Sequence, residues 1–207
     1  MNPERDVNGV LRESEAFFGG GGAVHRTLRA LAKRLDEEGI PYAILGGMAL
    51  NIHGFVRETV DVDVLLTRES LDRFRERLVG RGYVPAFAGA LKSFKDAETG
   101  VRIDVIAAGD FPGDGKPKEI AFPAPAGIAV DRGGIRVVPL EILLELKIAS
   151  GLSADHRRLI DLADVQRTIE ALKLPEELGS KLRPSVRAEY GRLWALAQRA
   201  GEGPVER

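Results

Sequence analysis

The chain of 207 residues contains no cysteine. That absence removes disulfide staples, thiolate zinc sites and cysteine nucleophiles together, and it agrees with a reducing compartment. No stretch reaches the ~20 apolar residues that span a bilayer, so no membrane partner is expected. The N-terminus, Met1 to Val10, lacks an apolar signal core and carries acids early, which makes a cytoplasmic protein the expectation. Neither charge sign dominates: 30 Lys and Arg stand against 31 Asp and Glu. No global pull on nucleic acid follows, and any such binding must use a local basic patch. Apolar residues at 44% and charged residues at 29% exclude chain-wide disorder. The length suffices for a core without covalent staples, as one large domain or one domain with an appendage.

The run Gly19 to Gly22 could cradle a phosphate, but the lysine and hydroxyl of a P-loop do not follow it. Residues 1–22 are therefore expected as a flexible leader. Val24, Leu28, Leu31 and Leu35 recur at helical spacing, and Gly39 with Pro41 ends that helix. Tyr42 to Leu45 has the length of a buried strand, broken by Gly46-Gly47. Met48 to His53 reads as a short helix closed by Gly54, and Val60 to Leu66 alternates as a strand. Leu71, Phe74 and Leu78 mark another helix. Its arginines (Arg73, Arg75, Arg77 and Arg81, set against Asp72 and Glu76) are expected on a solvated face.

Hairpins are expected around Glu98-Thr99-Gly100 and around Asp131 to Gly134, with a Gly/Pro/Asp loop at 109–118 between them. Helices follow at about 140–150, 155–172 and 175–200, with a break at Pro184. Tyr190 and Trp194 share a face of the last helix with Val186, Leu193 and Ala197, a core pattern rather than a base-stacking one. The organisation is a mixed α/β core over 23–138 and a C-terminal helical subdomain over 139–207.

Chemistry concentrates in Leu45-Gly46-Gly47, thirteen further residues, and then Asp61-Val62-Asp63-Val64. On a strand, Asp61 and Asp63 share one side while Val60, Val62 and Val64 share the other. Two carboxylates at i and i+2 lie roughly 7 Å apart at the backbone, close enough to converge on one hard cation or a pair of them. The plain alternative is an edge strand with a solvated polar face. Gly46-Gly47 is either a tight strand-to-helix turn or a phosphate cradle whose bare amides face an anion. In Val101 to Ile106, Asp104 faces away from Val101, Ile103 and Val105. It could join the acid pair, or sit on an exposed face with Arg102.

Lys147 stands among leucines, where a charge needs a partner, an open cleft or a route to solvent. Asp161 and Asp164 are spaced i, i+3; they could orient Lys147 or a base, or pair with Arg157 and Arg158. Arg57 could reach a phosphate or an acceptor, or be a surface loop arginine. Thr59 would support the turn, and His53 reads as a helix cap rather than a ring that stacks on a base.

Residues 42–66, YAILGGMALNIHGFVRETVDVDVLL, resemble the signature of the DNA polymerase β-type nucleotidyltransferase superfamily. The match falls on Gly46, Gly47, Asp61, Asp63 and Asp104, and the order of helices and strands agrees. Within the superfamily, the run from Gly47 to Asp63, together with Lys147, Asp161 and Asp164, is most similar to AbiEii-like bacterial toxin transferases. The resemblance implies an α/β (α+β) polymerase β-like core, a mixed sheet flanked by helices, followed by a C-terminal helical bundle.

It further implies magnesium on Asp61, Asp63 and Asp104, with manganese as the alternate ion. Gly46, Gly47, Arg57 and Lys147 would lie on the nucleotide, and Asp161 and Asp164 are secondary candidates. An oxygen donor set without cysteine favours magnesium over zinc. The expected activity is transfer of a nucleoside monophosphate from an NTP to an acceptor hydroxyl of RNA (tRNA ends included), protein or a small molecule, with release of pyrophosphate. A toxin or antiphage role with a cognate antitoxin partner is the finer expectation. The alternative is a catalytically silent nucleotide-binding or antitoxin-like module of the same fold, against which the retention of all three acids argues.

Overall fold

Helices and strands alternate around one seven-stranded mixed sheet in the computed structural model, which describes residues 16, 19–153 and 158–201. Most of the expected leader and the last six residues lie outside the described residues. In chain order the elements are α1 (Ala23–Glu37), β1 (Ala43–Leu45), α2 (Gly46–Ile52), β2 (Asp61–Leu66), α3 (Arg68–Leu78), β3 (Tyr83–Pro85), β4 (Ser93–Asp96) and β5 (Arg102–Ala107). Then come β6 (Val130–Arg132), β7 (Ile135–Val137), α4 (Leu140–Gly151), α5 (Arg158–Leu172), α6 (Leu178–Lys181) and α7 (Pro184–Gly201). The strands lie in the order β3-β4-β5-β2-β1-β7-β6. β2 runs parallel to β5 and β1 parallel to β7; the remaining neighbours are antiparallel.

Both hairpins form as expected, β4 with β5 and β6 with β7. Two differences have local causes. β3 has three residues of which only Tyr83 is buried, too short for a period-two pattern to register. It sits at the sheet edge, where Pro85 at its end is tolerated. The short helix begins at Gly46 rather than Met48, because the chain turns directly out of extended Leu45. The expected break falls at Pro184, which opens α7; its missing N–H is harmless in a first turn.

The sheet has two unlike faces near its centre. Val62 pairs across β2 and β5 with Ile103, and Val64 with Val105, and all four are buried. Each such side chain contributes about 1.5–3 kcal/mol relative to exposure. Phe94 on β4 is the partner of Ile103, and its ring centroid lies 4.9 Å from that of Phe74 on α3. α3 therefore covers the valine face. α1 covers it too, since Thr27 of α1 donates to Asp96 Oδ2 at 3.1 Å, two residues along β4 from Phe94. Thr67 caps α3 by accepting from the Ser70 amide. The α3 arginines are not all merely solvated: Arg73 donates to the carbonyls of Glu38 and Gly39, and Arg75 to that of Leu91.

The other face carries the acids and is left for α2 and the C-terminal helices. α4, α5 and α7 pack on one another, α6 leans on α7, and α4 reaches α2. Tyr190 is buried in the core and half-buried Trp194 packs against it: the Tyr190 hydroxyl donates to the Pro175 carbonyl at 2.9 Å, and Trp194 Nε1 to that of Leu174 at 3.0 Å. Buried Glu145 on α4 accepts from the Arg183 amide at 2.6 Å and so pins the start of α7. No described helix is long and apolar enough to cross a membrane.

Burial pushes the phenols of Tyr83 and Tyr190 up to about 12 from an ordinary value of 10.0. A phenol held neutral by the fold contributes stability that is complete below the unfolded value and fades as pH rises toward the folded one. We therefore expect denaturant-measured stability to decline between pH 10 and 12. The decline should be shallower in a Tyr83→Phe/Tyr190→Phe variant; equal slopes would show that these phenols do not control it.

Candidate active site

The parallel register of β2 and β5 sets a two-by-two grid of charged residues on one face. Asp63 stands opposite Asp104, and Asp61 opposite Arg102. Neighbouring strands lie about 4.8 Å apart, so three carboxylates and one guanidinium share a small area. All three acids are half-buried. They line a cleft of about 830 Å³ between the sheet and the helical bundle, and Gly46, Gly47, Arg57, Lys147, Asp161 and Asp164 line it as well. The structure thus gathers every site residue picked out from the sequence around one space.

The glycines are there for close approach. Leu45 of β1 pairs with Asp63, which brings the β1–α2 turn against the acid strand. Gly46 adopts φ +67°, and a Cβ on it would sit 1.9 Å from Asp63 Oδ2. A Cβ on Gly47 would sit 2.9 Å from Thr59 Oγ1 and 3.3 Å from Arg57 Nη2. The space that two side chains would have filled is taken by an acid, a hydroxyl and a guanidinium of the site itself.

Each acid is held differently. Thr59 Oγ1 donates to Asp61 Oδ1 at 2.9 Å, and Asp63 Oδ2 takes the place that a Cβ on Gly46 would need. Arg102 Nε donates to Asp104 Oδ1 at 2.9 Å and to the buried Ser93 hydroxyl at 3.1 Å. The hydrogen bond that Arg102 donates to Asp104, helped by the charges of Asp104, Asp61 and Asp63, raises the pKa of Arg102 above its ordinary value. Among the described residues, no three His, Cys, Asp or Glu side chains stand close enough together to hold a metal ion as placed. The donor set suits a hard divalent ion, since it offers only carboxylate oxygens. A protein cation, the Arg102 guanidinium, already rests on the third acid.

The opposite wall comes from α4 and α5. Lys147 is buried, with 8% of its surface exposed. Its ammonium lies 2.7 Å from Asp164 Oδ2 and 3.0 Å from Asp161 Oδ1. Ser150 Oγ donates to the other oxygen of Asp161 at 2.6 Å, and Arg57 Nη2 lies 3.2 Å from Asp164 Oδ2. The acid pair holds Lys147, one of the readings open for it. Arg157 and the Arg158 side chain lie outside the described residues. Half-buried Arg57 spans from the loop before β2 to α5, and its Nε is buried with no hydrogen-bond partner among the described residues. His53 caps α2 as expected and donates from Nε2 to the Val138 carbonyl at 2.7 Å.

Several lining residues escaped the sequence reading. Lys92 and Asp110 form an ion pair of 2.6 Å on the rim, and Arg68 reaches the same carboxylate at 3.1 Å. Phe111 and Phe122 line the cleft from irregular segments whose composition offers no periodicity to place them. Ser150 was findable, since it follows Lys147 by three on one helix face.

No family model and no curated protein matches the chain. Among solved structures, an antigenic nucleotidyltransferase-like protein from Paracoccidioides brasiliensis is similar at 16% identity and TM-score 0.49, over 86% of this chain and 88% of its own. The antibiotic-resistance factor ANT(2'')-Ia is similar at 18% identity and TM-score 0.47, over 87% of this chain and 96% of its own.

Gly46→Ala tests the close approach. Left-handed strain and displacement of Asp63 are expected to cost about 1–3 kcal/mol in urea denaturation. An unchanged midpoint would mean that the turn relaxes freely.

Proposed function

We propose that the chain is a metal-dependent nucleotidyltransferase that moves a nucleoside monophosphate from an NTP to an acceptor hydroxyl. The observation that carries this reading is the placement of Asp61, Asp63 and Asp104 on one sheet face, beside the Gly46-Gly47 turn and across an open cleft from Lys147. The sequence resemblance over residues 42–66 supports the same class.

Asp61 and Asp63 would hold magnesium or manganese, with Asp104 completing the set. When bound, such an ion would neutralise charge on the triphosphate and polarise the reacting phosphoryl group. Asp104 takes the proton from the acceptor hydroxyl as its oxygen bonds to the α-phosphorus. The bond from that phosphorus to the bridging oxygen breaks, and pyrophosphate leaves with the electron pair. Lys147 and Arg57 supply positive charge to the triphosphate, and the buried Nε of Arg57 offers a donor not yet spent. Asp161 and Asp164 position Lys147. RNA, tRNA ends, a protein hydroxyl and a small molecule are the acceptor classes to be sorted by experiment. The finer resemblance extends the proposal to a toxin with a cognate antitoxin.

One observation favours a second reading, a nucleotide-binding module without turnover: Asp104 is engaged by Arg102, and the acids are not gathered into a ligand shell. Pyrophosphate release with labelled NTPs and Mg²⁺ separates the two. Transfer should be abolished in Asp61→Ala/Asp63→Ala and reduced at least ~100-fold in Lys147→Met, the size typical for losing one electrostatic stabiliser. NTP binding by calorimetry without any release would favour the silent module. Equal labelling by wild type and the double variant would sink the assignment.

A further inference from the structure

We propose that Arg102 is a built-in counter-ion that holds the acid face in its metal-free form and competes with the divalent ion for it. The inference rests on the nucleotidyltransferase reading and adds to it a residue that sets metal affinity.

Three features of Arg102 lead there. It occupies the fourth corner of the charge grid, opposite Asp61 and two residues along β5 from Asp104. Its Nε is fixed by two acceptors at once, Asp104 Oδ1 and the Ser93 hydroxyl; Ser93 is itself buried and is the β4 partner of Asp104. The contact is thus anchored from two strands rather than being a stray surface pair. Finally, Asp61 and Asp63 act on its charge as well as Asp104. Carboxylates this close repel one another unless a positive charge sits among them. The Arg102 guanidinium supplies such a charge beside Asp104. An ion taking Asp104 as a ligand displaces the Arg102 contact, and the guanidinium, more than half exposed, has solvent to swing into.

The same geometry gives the gate a direction. Arg102 weakens ion binding to the empty site. The released guanidinium is then placed beside the acids with its N–H fork available to a phosphate oxygen, a group that guanidinium matches well. Loading by metal with nucleotide is thereby favoured over loading by metal alone.

The test is Mn²⁺ binding to the full chain without nucleotide, followed by electron paramagnetic resonance, with Asp61→Ala/Asp63→Ala as the control that removes the site. Arg102→Gln should bind Mn²⁺ roughly tenfold more tightly than wild type, the size expected for a unit charge repelling a divalent ion a few ångströms away in a water-like medium. Arg102→Lys keeps a cation and should stay within about twofold of wild type. Melting temperature in chelator and in saturating Mn²⁺ gives a second readout: the gain on adding Mn²⁺ should be larger in Arg102→Gln. Binding by Arg102→Gln where wild type binds none would support the gate most strongly. Equal affinity in wild type and Arg102→Gln, or equal tightening in both Arg102 variants, overturns the gate and leaves the nucleotidyltransferase reading standing. No binding by either protein at millimolar Mn²⁺ also overturns the gate, since removing the charge then frees no ion site; the nucleotidyltransferase reading is judged separately, by pyrophosphate release with NTP and Mg²⁺.

Discussion

Everything in the cleft follows from the register between β2 and β5. Because Asp63 lies opposite Asp104, and Asp61 opposite Arg102, one sheet face collects three negative charges and one positive charge. A slip of one residue would turn the acids into the valine core and the valines into the cleft. That error is blocked from the other side, where Val62, Val64, Ile103 and Val105 fill the space under α1 and α3. The hydrophobic pattern thus fixes the electrostatics: the packing that stabilises the sheet is what holds like charges together on its opposite face.

The remaining walls answer that charge. α2 begins on two glycines because Asp63 and Thr59 occupy the volume their side chains would need. The bundle meets the sheet through a chain of ion pairs running from Arg57 to Asp164, Lys147 and Asp161. Paired charges in a partly closed cleft are costly to separate, because each would be left desolvated without its partner. The network therefore positions Lys147 and ties α4 and α5 to the loop before β2 with the same bonds.

Much of this was legible beforehand, for physical reasons that differ by residue. Alternation placed Asp61 and Asp63 on one face, and the apolar spacing of Val101, Ile103 and Val105 placed Asp104 on its own. The parallel pairing of β2 with β5 was needed to put them side by side, and that is a tertiary fact. Lys147 was conspicuous because a charge among leucines must be answered, yet its partners lie 14 and 17 residues away, and spacing alone could not choose them. Arg102 was read as a sign of an exposed face. Its contact with Ser93 depends on a hairpin register that composition does not encode. Phe111, Phe122 and the Lys92–Asp110 pair were invisible because irregular segments carry no periodic signal.

Anomalous diffraction from crystals grown with Mn²⁺ and a non-hydrolysable NTP would decide the matter. We predict density for the ion between Asp61 and Asp63, with Asp104 turned toward it and Arg102 withdrawn. A structure with the nucleotide elsewhere, or with no ion near those carboxylates and Arg102 still on Asp104, would contradict this view of the cleft.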